Sequence, residues 1–205
     1  TTLEKDEDEL FKLWELKVGK KIILFPGRLT SWKGQEMFLD AINKVNIQLG
    51  HDAFIAVILG SDQGRDLYKK KLIRLVEQFR LTNQVKFIKH CKNMPVAYKI
   101  SNFVVSASTE PESFGRISVE AQSMQKPILA SNIGGSKETI IDSKTGILFE
   151  AGNSEEMSKK IIELLNLDQS TINQMGIEGR KNVINKFNVE KMCFSTYSEY
   201  KKLIN

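Results

Sequence analysis

The sequence predicts an α/β fold built on a doubly wound parallel sheet of about six strands, on three observations. Short apolar runs alternate with amphipathic stretches over most of the chain. Runs such as IILF and AFIAVIL are continuous rather than alternating, the pattern of strands covered on both faces. The stretches between them suit right-handed parallel crossovers.

Taken in order, residues 8–16 carry Leu10, Phe11, Leu13 and Trp14 at near-helical spacing behind acidic residues suited to a helix start. Residues 21–25 (KIILF) form a buried strand, stopped by Pro26-Gly27. A helix over 34–49 places Met37, Phe38, Ala41, Ile42, Val45 and Leu49 on one face. The second strand, 53–59, closes on the turn Gly60-Ser61-Asp62. A helix follows at 67–79, a strand at 85–88, a short helix at 96–100 and a strand at 103–107. Next come a helix at 117–124, a strand at 127–130, a short helix at 137–141 and a last strand at 146–149. From 154 the pattern is helical only, over 154–165, 171–187 and 189–203. The expected division is one domain over 1–205: an N-terminal helix and linker (1–19), an α/β sheet core (20–150) and C-terminal helices (151–205).

Bulk properties narrow the function. The chain has 205 residues, 41% hydrophobic and 27% charged, ordinary for a soluble globular protein. No apolar run approaches the ~20 residues of a membrane-spanning helix. The acidic start TTLEKDEDEL has no apolar core of a signal peptide. Cys91 and Cys193 lie far apart, without metal-ligand spacing, and read as free thiols in a reducing cytoplasm. The net charge of +5 suits an anionic ligand or an acidic membrane surface. No basic run interleaves with aromatics, so nucleic acid is not an expected partner.

In such a sheet ligands sit beyond the carboxyl ends of the strands. The loop after the first strand reads PGRLTSWKG. Gly27 permits close backbone approach, while Arg28 and Lys33 bring two cations that suit a diphosphate. The loop after the fourth strand reads STEPESFGRISVEAQ. There Phe114-Gly115 leads into a helix whose first-turn amides, near Arg116 and Ile117, make an anion site. Glu120, one turn deeper, either accepts hydrogen bonds from a ribose diol or pairs with Arg116 at i,i+4. Glu112, in the loop, reaches sugar hydroxyls or serves as a cap-region carboxylate.

Seven residues separate Glu112 from Glu120, and the segment continues EAQSMQKPILASNIGGSKETI. Preceded by GRLTSWKG, this resembles the C-terminal, donor-binding domain of family-4 retaining glycosyltransferases of GT-B fold, whose sheet is Rossmann-like. The resemblance runs from about Lys20 to Lys202. It implies that Arg28 and Lys33 grip the diphosphate of a nucleotide-diphosphate-sugar and stabilise its developing charge. It implies further that the amides of Gly115, Arg116 and Ile117 hold the distal phosphate. Glu112 would bind the donor sugar near the reacting face, and Glu120 the ribose. The catalytic set is thus Arg28, Lys33 and Glu112; Gly27, Phe114, Gly115, Arg116, Ile117 and Glu120 complete the donor site. Retention of configuration without a metal or other cofactor is implied, with a hexosyl group transferred to a cell-envelope glycan or lipid.

A GT-B enzyme needs a second, N-terminal acceptor-binding domain, so this chain is expected to be one half, weak or inactive alone. The full enzyme would work in the cytoplasm, with peripheral association at the inner face of the plasma membrane. The competing reading is a non-catalytic nucleotide- or phosphosugar-binding module acting with a separate N-terminal partner. A GT-B sugar-nucleotide epimerase fits the two motifs less well.

Other features read as bland. Ile88-Lys89-His90-Cys91 stands where family members often have a glycine, near the base. His90 approaches the base or lies on the surface; His51 has no evident acid-base partner. Gly60 to Gly64 lacks the GxGxxG pattern, and Gly134-Gly135 with Glu138 resembles the family's GG-x-x-E stretch, which implies a part in shaping the cleft. Asp6-Glu7-Asp8 matches a metal-binding D-x-D but follows no strand. Lys69 to Lys71 reads as a solvated helix face, and Met192, Phe194, Tyr197 and Tyr200 as a packing stripe on the last helix.

Overall fold

The run KIILFP forms strand β1 (Lys21–Pro26) in a computed structural model that describes residues 2–50 and 53–204. Before it lies α1 (Thr2–Leu13); after it come a 3-10 turn (Ser31–Lys33), α2 (Gln35–Leu49) and β2 (Phe54–Leu59). The chain continues through α3 (Asp66–Gln78), β3 (Val85–Ile88), α4 (Met94–Ile100) and β4 (Phe103–Ser106). Then follow α5 (Arg116–Ser123), β5 (Ile128–Ser131), α6 (Ser136–Thr139) and β6 (Gly146–Phe149). Three helices close the chain: α7 (Ser154–Asn166), α8 (Gln169–Lys186) and α9 (Val189–Ile204). His51 lies outside the described residues.

The strands form one sheet in the order β3-β2-β1-β4-β5-β6. All five neighbouring pairs are parallel; β1 registers Lys21 against Phe54 and Pro26 against Leu59, and sets Ile23 opposite Phe103. This is the doubly wound, Rossmann-like sheet that the alternation predicts. Alternate residues feed two cores, as the two-residue period of a strand dictates. Ile23 and Phe25 pack with α2, α3 and α7 on one face, through Phe38, Leu72 and Ile161. Ile22 and Leu24 pack with α1, α4 and α5 on the other, through Leu10, Ala97 and Ala121.

Two differences from the sequence reading are informative. The first helix begins near the start of the chain and ends at Leu13, not at residue 16. Its charged opening residues lack apolar spacing, but Lys5, Glu7 and Glu9 are good helix formers and the acidic charges suit the start of a helix. Glu15, at φ 50°, turns the chain so that Leu16 is buried beyond the helix. The expected packing stripe on α9 is corrected outright: Met192, Phe194, Tyr197 and Tyr200 are all exposed, as are Val189 and Leu203. Periodicity identifies an apolar helix face, but no described element covers this one.

Candidate functional site

The chain leaves β1 towards α2 on one face of the sheet and leaves β4 towards α5 on the other. Connections diverging from adjacent strands open a crevice at their carboxyl ends. A cleft of about 800 Å³ lies there, and all nine sequence-predicted site residues line it.

The basic wall comes from the loop after β1. The Gly27 amide donates to Leu59 O at 2.8 Å, extending the pairing with β2 beyond the strand. Its carbonyl lies where Gly60 has no side chain; a Cβ there would stand 1.9 Å from Gly27 O. Gln35, fully buried, donates through Nε2 to Arg28 O at 2.8 Å, fixing the backbone while the Arg28 side chain stays exposed. Lys33 ends the 3-10 turn and is only 8% exposed. Its ammonium sits 4.5 Å from the centroid of the Trp32 ring and 2.7 Å from Glu112 Oε2. Gly34 is required twice: φ is 78°, and a Cβ would come within 2.0 Å of Ala107 O. That close approach presses the β1 loop against the end of β4.

The acidic wall comes from the loop after β4. Ser108 Oγ donates to Glu112 Oε1, so both carboxylate oxygens of Glu112 are engaged, one by a hydroxyl and one by Lys33. The Gly135 amide donates to Glu112 O at 2.8 Å. Cβ atoms at Gly134 and Gly135 would lie within 2.6 Å of Glu112 O and 2.4 Å of Phe114 C, so this glycine pair supports the loop from beneath.

Gly115 caps α5 with φ 73°, and Ser118 N donates back to Gly115 O at 3.0 Å. The amides of Arg116 and Ile117 precede the first intrahelical acceptors and face the cleft end of the helix. The Phe114 ring stacks edge-on with Phe187 at 5.7 Å between centroids. Glu120 Oε2 accepts a 2.7 Å hydrogen bond from Tyr98 Oη, rather than forming an i,i+4 ion pair with Arg116. Burial and the adjacent Glu120 carboxylate push the Tyr98 phenol well above its ordinary range, so it serves as a donor.

Beyond the predicted set, Trp32, Met94 and Tyr98 line the cleft, with Lys89, His90 and Cys91 along the β3 side. Burial pushes the Cys91 thiol up despite its contact with Asn93 O. Tyr98 gave no chemical signal because it lies within an apolar helical run, MPVAYKI, which reads as core. Ser108, which holds Glu112 from four residues away in the same loop, is one small residue at a strand end and carries no chemical signal of its own. The D-x-D residues Asp6 and Asp8 lie on α1, where Glu7 between them pairs with Lys99.

Comparison with known proteins is consistent across three measures. The family described as glycosyl transferases group 1 matches residues 6–182. The capsular polysaccharide biosynthesis glycosyltransferase CapM of Staphylococcus aureus is 28% identical over 81% of this chain and 42% of its own length. A glycosyltransferase from Rickettsia africae superimposes with a TM-score of 0.91 at 29% identity, over 98% of this chain and 52% of the other. Anabaena HepE, crystallised in complex with UDP-glucose, superimposes with a TM-score of 0.85 at 25% identity, over 97% of this chain and 53% of its own. The chain thus spans about half the length of these relatives.

Proposed function

The chain belongs to the glycosyl transferases of group 1, and on that premise we propose that it is the donor-binding half of a retaining, metal-independent hexosyltransferase. Its ligand is a nucleotide-diphosphate-sugar, seated beyond the carboxyl ends of β1 and β4. One observation carries the reading. Two cations, a helix start with free amides and two carboxylates, set by separate loops, all line a single cleft at the sheet's switch point. A diphosphate flanked by hydroxyl-bearing sugars calls for that combination of cations, amide donors and carboxylate acceptors.

In this reading Arg28 and Lys33 hold the diphosphate, aided by the amides of Gly115, Arg116 and Ile117. Gly27 and Phe114 contribute backbone surface close to the phosphates. The bond from the anomeric carbon to the diphosphate oxygen breaks as the acceptor hydroxyl attacks from the same face. The hydroxyl proton passes to the departing diphosphate, and configuration is retained. Fixed cations aimed at the charge gained by the leaving group are worth several kcal/mol in a closed site. Glu112 binds hydroxyls of the donor sugar, and Glu120 accepts from the ribose. The acceptor, a cell-envelope glycan or lipid, is bound by a second domain. The complete enzyme works in the cytoplasm, at the inner face of the plasma membrane.

A thermal-shift panel of UDP, GDP, ADP and their glycosyl derivatives tests the donor site. A ligand that binds only the native state stabilises it by about 2.7 kcal/mol at a hundredfold excess over Kd. We expect one nucleotide series to raise the melting temperature of the wild type and to leave the Arg28→Ala, Lys33→Ala double variant unmoved. An equal shift in both proteins, or none in either, removes the assignment.

A further inference from the structure

We propose that Tyr98 is a positioning residue that sets the Glu120 carboxylate to read the two hydroxyls of the ligand's ribose. The inference rests on the donor-site reading and adds to it a residue from another element. Glu120 itself is exposed at the cleft edge, on α5. A glutamate there has three rotatable bonds and, left alone, spreads over many conformers. Tyr98, by contrast, is buried, with 3% of its surface exposed, and lies on α4, packed under the same face of the sheet. Its own place is fixed at the helix end, where the Ser101 amide and hydroxyl both donate to Tyr98 O, at 3.1 and 2.8 Å. The phenol therefore brings a rigid donor to Glu120 Oε2 at 2.7 Å.

The chemistry of this contact is directional. A phenol held in its protonated form donates to the carboxylate, and the carboxylate is then an acceptor only. Its remaining lone pairs suit a pair of hydroxyl donors on adjacent carbons, which a ribose presents and a deoxyribose does not. The hydrogen bond is to a charged acceptor, the stronger class. Tyr98 thus acts through Glu120 rather than on the ligand, and its effect falls on sugar discrimination rather than on phosphate affinity.

The test compares binding of a ribonucleoside 5′-diphosphate with that of its 2′,3′-dideoxy counterpart, by calorimetric titration of the wild type, Tyr98→Phe and Glu120→Gln. The base is the one that the wild type binds. We expect the wild type to prefer the ribonucleotide, Glu120→Gln to lose most of that preference, and Tyr98→Phe to reduce it by roughly five- to tenfold. Affinity for the dideoxy ligand should be the same in wild type and Tyr98→Phe. Equal weakening of both ligands in Tyr98→Phe would mean a merely structural role, and an unchanged preference would mean a spectator; either overturns the proposal. A wild type that binds both ligands equally well takes the ribose away from Glu120 and leaves the diphosphate site standing. A wild type that binds neither overturns the donor reading together with this one.

Discussion

At the scale of single residues, the ion pair between Lys33 and Glu112 has the sharpest consequence. The two groups lie 2.7 Å apart with side chains only 10% and 21% exposed. At such a site opposite charges attract by about 4 kcal/mol at 4 Å for an effective dielectric of 20, against about 1 kcal/mol in water. A diphosphate arriving at Lys33 must therefore compete with a carboxylate already bound there, and is repelled by it as well. On the proposed function, release of Glu112 would free an acceptor for a sugar hydroxyl, so the exchange would couple phosphate capture to sugar capture. We expect Glu112→Gln to bind the bare nucleoside diphosphate roughly tenfold tighter, about 1.4 kcal/mol. The additional affinity conferred by the sugar should fall in the same variant. Titration of both ligands checks this, and weaker binding of the bare diphosphate by Glu112→Gln would show that the pair assists rather than competes. Ser108 holds the other oxygen of Glu112 and should preserve the geometry of the glutamine.

At the scale of elements, the supports of the cleft are polar links between helices. Gln122 Nε2 donates to Ser118 O at 3.0 Å and to Thr139 O at 2.8 Å; Asn182 Nδ2 reaches Gln122 Oε1 and Thr139 O at 3.1 and 3.0 Å. This buried network ties α5 to α6 and α8, and Gly176 and Gly179 let α8 approach α5 closely. On the opposite face Asp40 of α2 accepts from Lys44 Nζ at 2.6 Å and from Ser154 Oγ, at the start of α7, at 2.5 Å. Burial raises the Asp40 carboxyl, but its bonds to Lys44 and Ser154 outweigh that, and the net displacement is downward. A carboxyl lowered by folding adds stability above its unfolded value, near 3.9, and loses it as the pH falls through the folded value. The difference in stability between wild type and Asp40→Asn should then be constant near neutrality, about 0.5–1 kcal/mol for so exposed a pair. It should shrink as the pH falls below about 4. Urea melts of both proteins from pH 7 to pH 3 measure it, and a difference that grows on acidification contradicts the assignment.

These links also show what could be read in advance. All six strands and the amphipathic helices of the sheet were legible, because continuous apolar runs and 3.6-residue spacing are local signals. The loops after β1 and β4 were legible as the walls of the cleft, because glycines, cations and a helix start stand together in sequence. Contacts such as Tyr98 to Glu120 and Asp40 to Ser154 were not, since only the folded arrangement of separate elements brings those residues together. The fate of the α9 stripe was illegible for a related reason: spacing shows which face is apolar, not what lies against it.

For the whole molecule, the proposed function bears on how much of the chemistry this chain performs alone. The assigned donor groups all issue from the carboxyl edge of one sheet, through the loops after β1 and β4 and the start of α5. Sugar transfer requires in addition an acceptor hydroxyl held about 3 Å from the anomeric carbon and a site from which water is excluded. Relatives such as CapM are about twice as long as the matched region, which covers 42% of that protein. On the proposed division of labour, binding and chemistry should therefore separate. The present chain should bind its nucleotide-sugar within about tenfold of the affinity of a full-length protein that joins it to an acceptor-binding domain, because all the proposed donor contacts lie within it. Its rate of transfer should fall by at least about a thousandfold, since orientation of the second reactant alone supplies several kcal/mol of the barrier. Side-by-side titration of the donor and assay of labelled sugar transfer make the comparison. Transfer by this chain at a rate near that of the full-length protein would mean that the acceptor is bound within these 205 residues, and the half-enzyme reading would fall.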